Sequence, residues 1–142
     1  MSEAAPVDRP ALDEAALEGL VEAARAVRDQ AYAPYSGFAV GAALLAEGRV
    51  FTAVNVENAS YPISVCAERN AVAAMVAAGE RIIDAIAVVT AAPSPTPPCG
   101  ACRQVLWEFG PSGTVIAETD GGSRLLWAIE DLLPAPFELE AP

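Results

Sequence analysis

Residues Phe38 to Ala46 read as a strand with no polar face. Phe38, Val40, Ala42 and Leu44 fall on one side, and Ala39, Gly41, Ala43 and Leu45 on the other. Side chains alternate along a strand, so an apolar set on each side calls for a sheet covered on both faces. Glu47-Gly48 makes a tight turn, and Val50 to Val54 returns as the second strand of a hairpin. Everything else in the chain must supply two covering layers.

The covering elements are legible around that hairpin. From Pro10 to about Ala31, Leu17, Leu20, Val21, Ala24 and Val27 recur at helical spacing, and Pro10 suits a first helical turn. Cys66 to Ala78 is an Ala-rich helical segment stopped by Gly79, and Gly100 to Phe109 is a second one stopped by Gly110. Between them Ile82 to Thr90 reads as a buried strand, followed by a loop, Ala91 to Pro98, that holds four prolines. Thr114 to Ala117 and a segment near Ser123–Leu126 read as short strands. A helical turn over Trp127–Leu133 then precedes a Pro-rich tail carrying Phe137. Strand, helix, strand in succession is a crossover unit with parallel strands. The predicted fold is α/β: a three-layer α/β/α sandwich on a mixed sheet of about five strands. The long first helix lies on one side and the two Cys-bearing helices on the other. The 142 residues fit a single domain, 1–142, with residues 1–9 as a loose tail.

Composition narrows the partners. The net charge is −11 with no Lys/Arg block, whereas polynucleotide binding needs a basic patch to release counterions. A nucleic-acid partner is therefore not expected. There is no 18-residue apolar run and no hydrophobic segment near the N-terminus, so neither a membrane span nor a signal peptide is expected. Charged residues are only 19% of the chain, which points to subunit contacts covering part of the surface. An odd count of three cysteines fits reduced thiols in a cytoplasmic setting better than a disulfide framework.

The chain has no histidine. The commonest general base and the commonest zinc ligand are thus both missing, and a metal site must be built from sulfur or carboxylate. The three cysteines lie in two segments, Cys66-Ala67-Glu68-Arg69 and Pro98-Cys99-Gly100-Ala101-Cys102, each at a predicted helix start. Unpaired backbone N–H groups and the helix dipole stabilise thiolates there. A lone C-x-x-C is ambiguous between zinc, redox chemistry and chance, and a lone Cys on a helix is usually an inert core residue. C-A-E followed by P-C-x-x-C is far more specific, being the all-cysteine form of a zinc nucleobase-deaminase signature. Cys66, Cys99 and Cys102 would hold one zinc and leave a fourth position open. Glu68 would take a proton from the water bound there, deliver it to a ring nitrogen, and later protonate the leaving amine. Three thiolates give the unit a net negative charge, which Arg69 could offset by hydrogen-bonding sulfur. Gln104, one turn beyond Cys99, is near enough to support a ligand; packing or surface exposure would explain it equally.

Asn55-Val56-Glu57-Asn58 clusters polar side chains at a strand end, where binding groups commonly sit, although ordinary turn chemistry uses the same residues. Tyr32 and Tyr35 in the preceding loop are open to a plain packing role.

Taken together, A-Y-A-P-Y-S-G-F-A-V-G-A-A-L, N-V-E-N-A-S-Y-P, C-A-E-R-N-A, P-C-G-A-C-R-Q-V-L and L-L-P-A-P-F span nearly everything from Ala31 to Phe137. In these motifs the chain resembles the cytidine deaminase family, in its small homotetrameric branch whose zinc is held by three cysteines. The resemblance implies hydrolytic deamination of cytidine and deoxycytidine in pyrimidine salvage. It implies that Phe38 packs on the pyrimidine, that Asn55 and Glu57 bond the sugar hydroxyl, and that the backbone at Ala67 meets the base edge. It also implies a homotetramer in which Ala59, Tyr61 and Phe137 reach a neighbour's site. Rival readings are a deaminase of another aminopyrimidine nucleoside such as blasticidin S, a polynucleotide-editing deaminase, and a catalytically silent zinc-binding module. The sugar-binding segment speaks against the first, the missing basic groove against the second, and retention of Glu68 against the third.

Overall fold

A computed structural model describes residues 12–142. The expectations for the tail at 1–9 and for Pro10 lie outside the described residues. The first helix, α1 (Glu14–Val27), is capped by Asp13, whose Oδ1 accepts the Ala16 N–H at 2.8 Å. A single 3-10 turn, Arg28–Gln30, follows it. The strands are β1 (Val40–Ala46), β2 (Arg49–Val54), β3 (Ala85–Thr90), β4 (Thr114–Thr119) and β5 (Arg124–Ala128). The helices on the other side are α2 (Ala67–Ala77) and α3 (Gly100–Phe109), and a last short helix, α4 (Ile129–Leu132), follows β5.

The five strands form one sheet in the order β2-β1-β3-β4-β5. β3 and β4 are parallel, joined by the crossover through α3, and the other pairs are antiparallel. The alternation of β1 separates two cores. Ala43 faces Leu20, Val21 and Ala24 of α1, together with Ala85, Ala87 and Val89 of β3. Ala42, Leu44 and Ala46 face Ala71, Val72 and Met75 of α2 and Leu106 of α3. Both faces of β1 are covered, so the architecture is the expected three-layer α/β/α sandwich.

Small residues set the spacing between α1 and the sheet. A Cβ at Gly41 would lie 2.0 Å from the Ala24 carbonyl oxygen, so α1 can approach β1 this closely only over a glycine. Charged side chains complete the contact at one end of β4. Glu118, 6% exposed, is held by Arg25 at 2.6 Å and by Arg124 at 2.5 Å, while Arg28 pairs with Asp120.

Several element edges differ from the sequence reading. β1 begins at Val40 rather than Phe38, because the Asn55 side chain takes over the backbone partners there. β3 begins at Ala85 rather than Ile82; the Ile83 N–H goes instead to the Phe109 carbonyl at the end of α3. Trp127 lies on β5, opposite Val115, rather than in a helical turn, and α4 starts two residues later. A strand pairing with β4 decides this, and residue spacing along the chain does not encode it.

Candidate active site

Cys66 and Cys99 are the N-cap residues of α2 and α3, and Cys102 lies in the first turn of α3. Neither cysteine side chain makes a capping hydrogen bond, so both termini leave N–H groups available to negative charge. The Cys66 and Cys99 sulfurs are 3.8 Å apart, and all three sulfurs lie within 4.8 Å of one another. Zinc–thiolate bonds of about 2.3 Å in tetrahedral geometry separate neighbouring sulfurs by about 3.8 Å. The cluster therefore fits a zinc ion with three protein ligands and one position left over.

The electrostatics favour a cation among these sulfurs. The Cys66 thiol is lowered to about 5, chiefly by its hydrogen bond with Cys102, with Arg69 and Cys99 assisting against burial. The Cys102 thiol is pushed up, first by that same bond with Cys66, then by burial and the nearby Glu68 carboxylate. Negative charge is thus favoured on Cys66 and disfavoured on Cys102, and a bound cation would favour the thiolate form of its ligands. Arg69 Nη2 sits 3.8 Å from Cys66 Sγ and 3.4 Å from the Ser64 carbonyl oxygen. Its charged form is favoured first by that sulfur. This is the contact expected of a residue that offsets thiolate charge.

Glu68, in the first turn of α2, is 6% exposed and lines the cleft beside the sulfurs. Burial raises its carboxyl to about 7. The cleft, about 190 Å³, is walled by Phe38, Val40, Asn55, Ala67, Val88 and the loop residues Thr96 and Pro97. A shallower recess beside it is lined by Glu57, Ser64 and Val65, and shares Asn55 and Cys66 with it.

The structure brings Cys66, Cys99, Cys102, Glu68, Phe38, Asn55, Glu57 and Ala67 to one place. Asn55 is more occupied than a free sugar ligand would be. Its Oδ1 accepts the Val40 N–H at 2.9 Å and its Nδ2 donates to the Phe38 carbonyl at 2.8 Å, leaving one N–H over. Glu57 is held too: its Oε1 accepts the Tyr35 and Ser36 N–H groups, and its Oε2 the Ser36 hydroxyl. These donors, the Ser36 hydroxyl first, hold its carboxyl below the usual range.

Ala59, Tyr61 and Phe137 are exposed and do not line either recess. Tyr61 opens a 3-10 turn, Tyr61–Ile63, at 67% exposure, and Phe137 is 69% exposed. Gln104 does not hydrogen-bond a cysteine; its side-chain amide meets the backbone of Phe137.

The sequence reading missed Thr96, Pro97, Ser36 and Asn70. The loop Ala91–Pro98 runs straight into Cys99, which was the available signal for Thr96 and Pro97. The Thr90 and Thr96 hydroxyls, 3.0 Å apart, tether that loop to the end of β3. Asn70 Nδ2 donates to the Val54 carbonyl at 2.9 Å, tying the helix of Glu68 to the strand that leads into Asn55.

Comparison with known proteins agrees with this geometry. Residues 15–118 match the family model described as the cytidine and deoxycytidylate deaminase zinc-binding region. The chain belongs to that family. It is 44% identical over 124 residues to a cytidine deaminase from Halalkalibacterium halodurans, covering 85% of this chain and 93% of the relative. A crystal structure of cytidine deaminase from Burkholderia pseudomallei superposes with a TM-score of 0.82 at 49% identity, covering 84% of this chain and 98% of that one. A blasticidin-S deaminase from Bacillus cereus is more distant: 30% identical over 107 residues, covering 69% of this chain and 76% of the relative. Among the described residues of this family member, no helix is long and apolar enough to cross a membrane.

Proposed function

We propose that this chain is a cytidine deaminase, converting cytidine and 2′-deoxycytidine with water into uridine and 2′-deoxyuridine and releasing ammonia, as part of pyrimidine salvage. The observation that carries the reading is the buried Glu68 carboxyl set beside three converging thiols, in a cleft lined by Phe38 and Asn55 and adjoined by the recess of Glu57. The assignment rests further on the curated relatives and on the shared fold.

Cys66, Cys99 and Cys102 would hold one zinc per subunit, which supplies a Lewis acid that makes water nucleophilic near neutral pH. Glu68 is the proton carrier. It takes a proton from the attacking water and delivers it to the ring nitrogen next to C4, then takes the second proton from the hydroxyl now bonded to C4 and gives it to the amine as the C4–N bond breaks. Each donation restores the acceptor, so one carboxylate serves every transfer. Its burial keeps bulk water from competing for those protons. Phe38 covers the pyrimidine, and the backbone at Ala67 meets the base edge. The spare N–H of Asn55 and the spare lone pair on Glu57 Oε2 serve the sugar hydroxyls. Arg69 offsets thiolate charge at Cys66.

The exposure of Ala59, Tyr61 and Phe137 is consistent with a homotetramer in which they complete a neighbour's site. Residues 1–142 would act as one deaminase domain on a free nucleoside in the cytoplasm. A chain of net charge −11 is a poor match for a polynucleotide.

The test is uridine and ammonia formation from cytidine, with and without a chelator, alongside metal content. Turnover that needs zinc bears the reading out. Zinc and cytidine binding without ammonia release would identify a silent binding module, and a marked preference for blasticidin S would identify the other deaminase.

A further inference from the structure

Ser36 has no part in the chemistry above, yet its hydroxyl stands between the two recognition elements. Oγ donates to Glu57 Oε2 and accepts the N–H of Phe38 at 3.0 Å. The Ser36 N–H donates to Glu57 Oε1 at 3.1 Å, and the Tyr35 N–H to the same oxygen at 3.0 Å. Gly37 makes the loop close enough for this: its φ of 68 is in the left-handed region, and its N–H returns to the Ala33 carbonyl at 2.9 Å. Phe38 lies just before β1, so no strand ladder holds it. Its N–H rests on Ser36 and its carbonyl on Asn55 Nδ2.

The polarity of this bridge has one solution. An ionised carboxylate can only accept and an amide N–H can only donate, so the hydroxyl proton must go to Glu57 and a lone pair must face Phe38. Two of the carboxylate's roughly four acceptor positions are used on Oε1 and one on Oε2, which leaves one on Oε2 for a ligand hydroxyl. A single atom therefore orients the remaining sugar acceptor and anchors the backbone that carries the base-covering ring.

We infer that Ser36 is a positioning residue that couples base recognition by Phe38 to sugar recognition by Glu57. The inference rests on the cleft being the nucleoside site proposed above. Ser36 itself is exposed, so removing its hydroxyl leaves no core cavity.

Steady-state kinetics on wild type, Ser36→Ala, Ser36→Thr, Glu57→Gln and the Ser36→Ala/Glu57→Gln double variant, with cytidine and with 2′,3′-dideoxycytidine, test it. Wild-type turnover of cytidine tests the function, and the ratios between variants test the coupling. Losing a hydrogen bond to a charged group and a neutral one together should raise KM for cytidine about tenfold in Ser36→Ala, with kcat within about twofold of wild type. Zinc content and melting temperature stay unchanged. Ser36→Thr keeps the hydroxyl and restores KM. On the dideoxy substrate, or in the Glu57→Gln background, only the Phe38 half of the loss remains, so Ser36→Ala raises KM only about threefold. If Ser36→Ala does not fold, Ser36→Cys, a weak donor of similar size, takes its place in the same cycle. Equal KM factors in both backgrounds, an unchanged KM, or a loss confined to kcat or to melting temperature would overturn the coupling.

Discussion

The side-chain amide of Gln104 exchanges two hydrogen bonds with the backbone of Phe137. Nε2 donates to the Phe137 carbonyl at 2.8 Å, and the Phe137 N–H donates to Oε1 at 3.2 Å. Gln104 follows Cys102 by two residues on α3, so the C-terminal tail is tied to the helix that carries two of the three thiols. The Phe137 ring is left exposed on this anchored backbone.

Gln104→Leu keeps a good helix former and removes both bonds. Hydrogen exchange at the Phe137 amide should then accelerate markedly, with zinc content unchanged. If the ring completes a neighbour's site, KM for cytidine should rise as it does in Phe137→Ala. Gln104→Glu should fall between, since a carboxylate still accepts from the N–H but repels the carbonyl oxygen.

Metal removal should cost both activity and stability. Cys102 is fully buried, so Cys102→Ser places a hydroxyl among thiols and should yield protein with well under one zinc per chain and no detectable turnover. Chelator-stripped wild type should melt at a lower temperature, because a ligand at a thousandfold its dissociation constant stabilises the fold by about 4 kcal/mol. Added zinc should restore both. An unaltered melting curve with full turnover in chelator would remove zinc from the site.

These sites were legible to different degrees. C-A-E and P-C-x-x-C were readable because helix starts and short spacings fix the thiols locally, and the structure brings the three sulfurs together as expected. The two apolar faces of β1 foretold both covering layers. Gln104 was not readable. Its sequence neighbour Cys102 hinted at the metal, whereas its actual partner is 33 residues away. Asn55 drew attention as a ligand, and its side chain holds the backbone of Phe38 and Val40. Trp127 joined β5 through pairing with the preceding strand, β4. Each miss involves a partner outside its own segment, which periodicity does not encode.

Gly41→Ala should loosen the sandwich from the side opposite the thiols. The new methyl would meet the Ala24 carbonyl at 2.0 Å and the Arg28 Cβ at 2.9 Å, both on the α1 side, so the helix must move away from β1. Overpacking of this kind costs about 1–3 kcal/mol. Urea unfolding should show a lower midpoint at an unchanged slope, with kcat near wild type.

The Arg28–Asp120 pair gives a pH-dependent contribution of predictable sign. The Arg28 hydrogen bond, helped by the charges of Arg28 and Arg25, holds the Asp120 carboxyl below its usual range, with Glu118 and Arg124 nearby. A depressed carboxyl stabilises the fold above its unfolded-state pKa and loses that contribution as pH falls through the folded-state value. Wild type should therefore melt slightly above Asp120→Asn at neutral pH. The gap should close below about pH 4, where the unfolded aspartate begins to protonate, and should shrink with added salt at neutral pH. A gap that widens with acid would contradict the assignment.

Glu68→Gln separates proton transfer from every other property of the site. Glutamine matches the buried side chain in shape and brings no charge into the low-dielectric floor of the cleft, so folding should not suffer. The three thiols are untouched, so zinc should stay at one equivalent. Phe38, Asn55 and Glu57 are untouched, so cytidine should still bind with an affinity near that of wild type. What disappears is the group proposed to carry the two protons of water, one to the base and one to the leaving amine. General acid–base catalysis by one positioned side chain contributes about 10²–10⁴-fold, and kcat should fall by at least that much if Glu68 serves more than one transfer, as proposed. Isothermal titration with cytidine, metal analysis and a uridine assay on the same preparation read all three quantities. Turnover within tenfold of wild type would move the proton carrier to another residue of the cleft.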